Sequence, residues 1–208
     1  MVYGQQLEIN GGEEDKKVVL DIGFGTGDSI VHMAEDARTN GRDVFFFGCE
    51  IHRAGVAQCI SEVARRDLRN VKLIRADATL LLGSHVPTGF LDEVHIYFPD
   101  PWPNAFRDGE RRVVRSRIVG MLKDALKPGG RVHIATDVED YAKHVRTTFD
   151  EEGISRFFDL VDAEVYEPCS SSSRLRMRGV TRYEQRAPEK GNQRIYEFVF
   201  KRTDVDGG

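Results

Sequence analysis

Short apolar runs alternate with amphipathic segments through the first 150 residues of the chain. Apolar runs between turn residues are typical of buried strands, and apolar positions repeating every three to four residues are typical of helices. The alternation predicts parallel strands joined by right-handed helical crossovers, with helices on both faces of one sheet. The predicted strands are 18–22, 44–49, 71–74, 91–98 and 132–135. One predicted helix begins near residue 30, and three others span 52–66, 114–125 and 140–149.

The pattern changes in the last quarter of the chain. Two further apolar runs, 160–166 and 195–200, are separated there by a long polar segment. Two strands added after an open parallel sheet commonly form an antiparallel edge. The predicted fold is therefore α/β and Rossmann-like, with a mainly parallel sheet and an antiparallel C-terminal edge. We expect one domain over 17–203, preceded by a flexible segment, 1–16, and followed by a tail, 204–208.

Composition indicates a globular domain, because 40% of the 208 residues are hydrophobic and 31% are charged. No apolar run approaches the roughly 18 to 20 residues that a membrane span needs, and residues 1–10 lack the pattern of a secretion signal. We therefore expect a cytoplasmic protein without membrane association. Cys49, Cys59 and Cys169 have neither disulfide-framework nor zinc-ligand spacing, so we expect no metal site.

Charge is unevenly distributed along a chain whose net charge is −4. Residues 1–100 carry 10 Lys and Arg against 16 Asp and Glu, and residues 101–208 carry 20 against 18. Much of the basic charge lies in two clusters, 103–118 and 170–202, which are either one phosphate-binding rim or ordinary solvated faces. The candidate residues of an RNA-binding rim are Arg107, Arg111 and Arg112.

A glycine-rich stretch lies between the first predicted strand and the first predicted helix. Gly23, Gly25 and Gly27 are spaced G-x-G-x-G at the end of the sheet where open α/β proteins bind ligands, and Asp21 precedes them. Glu50 ends the second strand, where its carboxylate can accept both hydroxyls of a ribose. Together these features favour S-adenosylmethionine over a nicotinamide cofactor, because the spacing that seats a pyrophosphate is absent. A tight turn without a ligand is the alternative.

Two further carboxylates follow predicted strands. Asp77 follows the third strand, where it can either read an adenine edge or cap the next helix. Asp100 follows the fourth strand within Phe-Pro-Asp-Pro-Trp, where two prolines restrict the backbone on either side. Trp102 is either a core residue or a stacking surface for a base. A rigidly held carboxylate beside the glycine loop favours a functional role for Asp100.

Five motifs, in the same order, make the chain resemble the tRNA (guanine-N7-)-methyltransferases of the bacterial single-chain type. The resemblance spans about 18–201, and its Pro-Asp-Pro-Trp and Thr-Arg-Tyr-Glu-Gln-Arg motifs are far more specific than the glycine loop. The resemblance implies the fold of class I S-adenosylmethionine-dependent methyltransferases and methylation of a tRNA guanosine at N7, in the variable loop. The motifs are 20–27, 48–52, 98–102, 135–137 and 181–186.

The resemblance also implies roles for individual residues. Asp100 would be the catalytic carboxylate and would also contact the cofactor. The other cofactor-binding residues would be Asp21, Gly23, Gly25, Gly27, Glu50 and Asp77. The guanosine would be held by Asn104, Asp137, Thr181, Arg182, Tyr183 and Glu184. Asn104 departs from the family pattern, which has a lysine there, and the stretch before the first strand is shorter than in the family.

These departures leave other functions open. A methyltransferase acting on an exocyclic amine of a base or on a protein would have a similar Asp-Pro-aromatic motif, although the motif at 181–186 weighs against it. A non-catalytic tRNA-binding subunit with the same fold need not bind S-adenosylmethionine, so cofactor affinity would distinguish it. The sequence does not decide between a monomer and a homodimer.

Overall fold

Seven strands form one sheet in the part of the chain that the computed structural model describes, which is residues 16–102, 111–171, 173 and 177–203. The strands are β1 (Lys17–Ile22), β2 (Val44–Glu50), β3 (Val71–Arg75), β4 (Leu91–Tyr97), β5 (Leu126–Thr136), β6 (Phe158–Tyr166) and β7 (Ile195–Arg202). Their order is β3-β2-β1-β4-β5-β7-β6, with β1 to β5 parallel and β7 antiparallel to both neighbours. The predicted mainly parallel sheet with an antiparallel C-terminal edge is confirmed.

Helices cover both faces of the sheet, as predicted. Within the described ranges they are α1 (Asp28–Thr39), α2 (Arg53–Arg65), α3 (Ala78–Ser84), α4 (Ser116–Ala125), α5 (Glu139–Asp150) and α6 (Arg182–Arg186), and a 3₁₀ helix, Pro188–Lys190, follows α6. Residues of α1 and α2 pack into the core on one face, and residues of α3, α4 and α5 pack into the core on the other. The central strands are therefore buried on both sides, which explains their continuous apolar runs.

Alternation along β1 divides its side chains between the two cores. Val18 and Leu20 belong to the core that contains α3, α4 and α5, whereas Val19 belongs to the core that contains α1 and α2. Asp21 shares the face of Val19, because successive side chains of a strand point to opposite faces. The register aligns Asp21 with His95 on β4. Polar side chains therefore meet on this face, near the carboxyl ends of the strands.

Three elements differ from the prediction. The helices α3 and α6 have only seven and five residues, too few for a clear helical period in the sequence. Residues 127–130, which fall between the predicted helix 114–125 and the predicted strand 132–135, lie within β5, because α4 ends at Ala125. The register between β4 and β5 shifts there, and Gly129 adopts a φ of +76°, which accommodates the bulge.

Some of the predicted residues lie outside the described part of the chain. These are Asn104 and Arg107, residues 1–15 of the N-terminal segment, and the tail 204–208. Among the helices that the structure describes, none has both the length and the apolar character needed to cross a bilayer.

Candidate active site

The turn after β1 places three glycines at the carboxyl end of the sheet. Gly23, Gly25 and Gly27 have φ values of +77°, +56° and +92°, in the region that favours glycine. The Gly23 amide donates to the Cys49 carbonyl on β2 at 2.7 Å, and the Gly27 amide donates to the Phe24 carbonyl at 2.9 Å. The glycine loop is therefore a tight turn held against the neighbouring strand.

Gly27 has no room for a side chain, and we expect Gly27→Ala to destabilise the protein by about 2–4 kcal/mol. An added Cβ would overlap the Cys59 sulfur and lie 2.9 Å from the Cys59 Cβ. Gly41→Ala is the matched control, because Gly41 has a φ of +61° but nothing within 4 Å of an added Cβ. Urea unfolding should show a loss of only about 1–2 kcal/mol for this control. Equal losses in both variants would contradict the packing argument.

Glu50 ties the end of β2 to the glycine loop. Its Oε2 accepts a hydrogen bond from the Gly25 amide at 2.9 Å, and its Oε1 accepts from the amides of Ile51 and His52 at 2.7 and 2.8 Å. The side chain is buried. A carboxylate offers about four acceptor positions, so these three bonds leave one for a ribose hydroxyl.

Asp21 is a buried carboxyl group directly before the glycine loop, with 1% of its surface exposed. Burial, and then the negative charge of Glu50, raises the pKa of Asp21 to about 7. Its Oδ2 has no hydrogen-bond partner among the described residues. Because a buried oxygen without a donor is costly, this arrangement fits a ligand with a cationic amino group, which S-adenosylmethionine has.

Asp77 and Asp137 lie at the ends of two other strands. Asp77 is the N-cap of α3, since its Oδ1 accepts from the amides of Thr79 and Leu80 at 2.8 and 3.3 Å. The capping alternative is thus the one that the structure displays, and the adenine contact stays a prediction. Asp137 follows β5, and its Oδ2 accepts a hydrogen bond from the Asn192 side chain at 2.8 Å. That bond links Asp137 to the segment that follows α6.

The segment 98–102 turns sharply at the end of β4. Phe98 and Trp102 have φ values of +50° and +40°, which are strained for residues with side chains. The Phe98 amide donates to the Ala135 carbonyl at 2.8 Å, so this turn begins where β4 still pairs with β5. Asp100 is exposed between the two prolines of the turn. Strained backbone around an exposed carboxylate is typical of a functional position.

The helix α6, which carries the Thr-Arg-Tyr-Glu-Gln-Arg motif, lies on the glycine loop. The Arg182 amide donates to the Asp28 carboxylate at 3.2 Å, and Arg182 Nε lies 3.3 Å from the same carboxylate. The Tyr183 ring stacks on Phe98, with centroids 6.2 Å apart and planes inclined by 8°. A Cβ added to Gly25 would lie 3.7 Å from the Tyr183 ring. The helix therefore bridges the glycine loop and the end of β4.

The cleft between α6 and the glycine loop is narrow and acidic. Its volume is about 20 Å³, which is room for about one water molecule. Burial raises the pKa of Tyr183, and the charges of Asp100, Glu50 and Asp28 raise it further. Carboxylates from three separate elements therefore act on one ring, and a ligand that displaced Tyr183 would meet the same negative charge.

Thr181 and Glu184 hold α6 in place. Thr181 Oγ1 caps the helix by accepting from the Glu184 amide at 3.2 Å. The Glu184 carboxylate is fully buried and accepts from Arg178 Nη1 and from the Cys169 amide, both at 2.9 Å. The predicted contact between Glu184 and guanosine is therefore not available in this conformation. Sequence reasoning missed Arg178, because a buried glutamate needs a cationic partner but the sequence does not show that Glu184 is buried.

Arg112, which the sequence assigns to the RNA rim, is buried in the structure. Only 2% of Arg112 is exposed, and its guanidinium donates to the Trp102 carbonyl and to the Asp140 carboxylate, at 3.1 and 3.2 Å from Nη2. The residue is used inside the protein, so it is not available to a phosphate. Arg111 is exposed, and its guanidinium lies over the Trp102 ring at 3.8 Å from the centroid.

Sequence comparison relates the chain to methyltransferases. A methyltransferase family model, Methyltransf_4, matches residues 15–197. The similar proteins named tRNA (guanine-N(7)-)-methyltransferase include those of Yersinia pestis (strain Pestoides F), Alkalilimnicola ehrlichii and Halorhodospira halophila, which are 35%, 36% and 35% identical to this chain. The alignments cover 90%, 91% and 91% of this chain and 73%, 74% and 77% of those relatives.

Solved structures share the fold at lower identity. A variant of the 16S rRNA (adenine(1408)-N(1))-methyltransferase from Catenulisporales acidiphilia has a TM-score of 0.63 and 14% identity, over 94% of this chain and 89% of that one. An rRNA methylase from Streptococcus thermophilus has a TM-score of 0.56 and 12% identity, over 92% of this chain and 89% of that one. These likenesses show the class I methyltransferase fold, whereas the family model and the curated relatives show the family. The chain belongs to the tRNA (guanine-N(7)-)-methyltransferase family.

Proposed function

We propose that the protein transfers a methyl group from S-adenosylmethionine to N7 of a guanosine in tRNA. The observation that carries this proposal is the packing of α6 on the glycine loop, because it brings the most specific motif to the cofactor-binding end of the sheet. The names of the curated relatives state this activity. We place the reaction in the cytoplasm, with a guanosine of the tRNA variable loop as the target.

The chemistry explains why carboxylates surround the site. S-adenosylmethionine, when bound, supplies a methyl group on a sulfonium sulfur, which becomes a neutral thioether as positive charge passes to the guanine. Guanine N7 has an in-plane lone pair and no proton, so the protein needs to orient the base more than it needs a general base. The negative charge of Asp28, Glu50 and Asp100 then stabilises the ring as it becomes cationic.

We assign the selection of guanine over adenine to two carboxylates. Guanine presents N1–H and the exocyclic N2 as neighbouring donors, and adenine lacks this pair. We assign their acceptors to Asp100 and Asp137, which follow the adjacent strands β4 and β5 at the same end of the sheet. We assign one ribose hydroxyl of the cofactor to Glu50 and the amino group of the cofactor to Asp21.

A methylation assay with defined transcripts tests the proposed function. The protein, labelled S-adenosylmethionine and unmodified tRNA transcripts should yield labelled tRNA, with the label mapped to one guanosine. Transcripts made with 7-deazaguanosine, which lacks N7, should take up no label. Label in the deaza transcript, or no label in either, would overturn the proposed reaction, and measured cofactor binding without transfer would favour the non-catalytic subunit.

Ionisation of Asp21 should control cofactor affinity. With a pKa of about 7, its ionised fraction rises from about one tenth at pH 6 to about nine tenths at pH 8. Because the ionised form attracts the cationic cofactor, we expect S-adenosylmethionine to bind about tenfold more tightly at pH 8 than at pH 6. Calorimetry of Asp21→Asn supplies the control, since any remaining pH dependence reports titration of the cofactor itself. Identical profiles for the two proteins would exclude Asp21 from the pocket.

Arg111 should contribute to tRNA binding through a phosphate contact. We expect Arg111→Ala to weaken tRNA binding and to lower the slope of log K against log salt by about 0.7–0.9, with cofactor affinity unchanged. Arg38→Ala is the matched control, because Arg38 is an exposed residue in the last turn of α1, shortly before β2 begins. A slope that is unaltered by Arg111→Ala would identify Arg111 as ordinary solvated surface.

A further inference from the structure

A cluster of three buried side chains with metal-ligating atoms lies on the face of the sheet that carries Asp21. Glu93 and His95 come from β4, and His133 comes from β5, where the register pairs it with His95. Their exposed fractions are 7%, 1% and 4%. One ligand atom from each residue lies within 4.8 Å of the others. The proposed methyl transfer gives none of the three a role.

The spacing of these atoms suits a small divalent ion. His95 Nε2 lies 3.4 Å and His133 Nε2 lies 3.8 Å from the Glu93 carboxylate. In a tetrahedral zinc site, bonds of about 2.0–2.2 Å place neighbouring ligand atoms about 3.3–3.6 Å apart. The two distances from Glu93, which end on different carboxylate oxygens, are close to this spacing.

The histidine rings have unsatisfied nitrogens. Neither Nδ1 nor Nε2 of His133 has a hydrogen-bond partner in the described part of the chain, and the same holds for Nδ1 of His95. The two ring centroids lie 5.2 Å apart at an interplanar angle of 76°. A buried polar atom without a partner costs free energy. An ion bound between the rings would use His133 Nε2, the nitrogen that now faces Glu93 without a hydrogen bond.

Lys17 is the positive charge that competes with such an ion. Its Nζ lies 2.7 Å from Glu93 Oε1, and its side chain is 44% exposed. An exposed lysine on a flexible stem can turn its ammonium group into solvent. The three ligands, by contrast, are held by two paired strands. Within the described residues, the arrangement therefore combines fixed ligands with a cation, Lys17, that can move away.

We propose that Glu93, His95 and His133 form a binding site for a zinc-type divalent ion, held by two imidazole nitrogens and one carboxylate. The ion joins β4 to β5 inside the face that carries Asp21. Spacing along the chain could not reveal this set, because His133 is 38 positions from His95 and only the strand register brings them together. The proposal does not depend on the identity of the methylated substrate.

Metal titration of the untagged protein tests the site. After chelator treatment and dialysis, the wild type should bind one Zn²⁺ per chain by calorimetry, and Zn²⁺ should raise its melting temperature. Co²⁺ should give the visible absorption of a four- or five-coordinate ion without a strong thiolate charge-transfer band. Absence of saturable binding in the wild type, or a thiolate band from one of the cysteines, would overturn the proposal.

Variants locate the ion. We expect His133→Gln and Glu93→Gln to weaken Zn²⁺ binding by about 100-fold and to abolish the thermal shift. His52→Gln, which alters an exposed histidine outside the cluster, should bind Zn²⁺ like the wild type. Lys17→Met should tighten binding by about tenfold, because it removes the competing charge. Retained affinity in both ligand variants, or weaker binding in Lys17→Met, would mean that the cluster is a buried ion network only.

Discussion

Asp100→Asn should lower the single-turnover rate of methyl transfer on the order of 10²-fold or more, while the protein stays folded. The substitution keeps the shape of the side chain and part of its hydrogen bonding but removes its charge. That charge already acts at the cleft, since it contributes to raising the pKa of Tyr183. Affinity for S-adenosylmethionine should fall less than the rate, because an asparagine oxygen can still accept a hydrogen bond.

The measurement is a single-turnover assay at saturating cofactor and tRNA. Asp159→Asn is the matched control, because Asp159 is exposed on the edge strand β6, away from the carboxyl ends of the parallel strands. If Asp100→Asn and the wild type react at similar rates, Asp100 is only a turn residue. The catalytic assignment would then pass to Asp137, because Glu184 has no exposed surface.

Arg178→Met should destabilise the protein by about 3–5 kcal/mol, because it leaves buried carboxylates without a cation. The Arg178 guanidinium is completely buried. It donates to Glu184 Oε2 at 2.9 Å and to Tyr166 Oη at 2.8 Å, and it lies 3.8 Å from Glu197. Tyr166 in turn donates to Glu197 at 2.7 Å. This network anchors the segment before α6 to the antiparallel edge of the sheet.

A double-mutant cycle separates the ion pair from general packing. Arg178→Met combined with Glu184→Gln removes both charges, so the double variant should be at least about 1 kcal/mol more stable than the sum of the single losses predicts. Urea unfolding of the wild type, the two single variants and the double variant gives the coupling free energy between Arg178 and Glu184. Additive losses would show that the Arg178–Glu184 pair contributes no specific stabilisation.

The succession of strands and helices along the chain and the location of the glycine loop follow from local signals. The β1 run is buried on both faces, and the glycines come where the strand ends, so both were readable from the sequence. The Thr-Arg-Tyr-Glu-Gln-Arg motif of α6 was also recognisable in the sequence, through its resemblance to the family. The short helices α3 and α6 could not be predicted, because one or two turns are too few to show the helical repeat of apolar residues.

The roles of individual charged residues were less accessible. Arg112 was assigned to the RNA rim from the clustering of basic residues, and Glu184 was assigned to the guanosine from the family resemblance. Both assignments need exposed side chains, which is the usual environment of arginine and glutamate. The tertiary structure buries both and pairs them with Asp140 and Arg178. Their partners lie on other elements or in a segment of irregular backbone, and no spacing rule connects them.

The sequence by itself determined the fold class, the end of the sheet that carries the site, and the carboxylates that ring it, because strand periodicity and turn residues act locally. Only the tertiary structure decided which of these groups are buried and which are exposed. The register between β4 and β5 set His95 opposite His133, and the packing of α6 set Tyr183 over Gly25. Both depend on contacts between distant segments, which the free energy of burying the two cores selects and which no local pattern records.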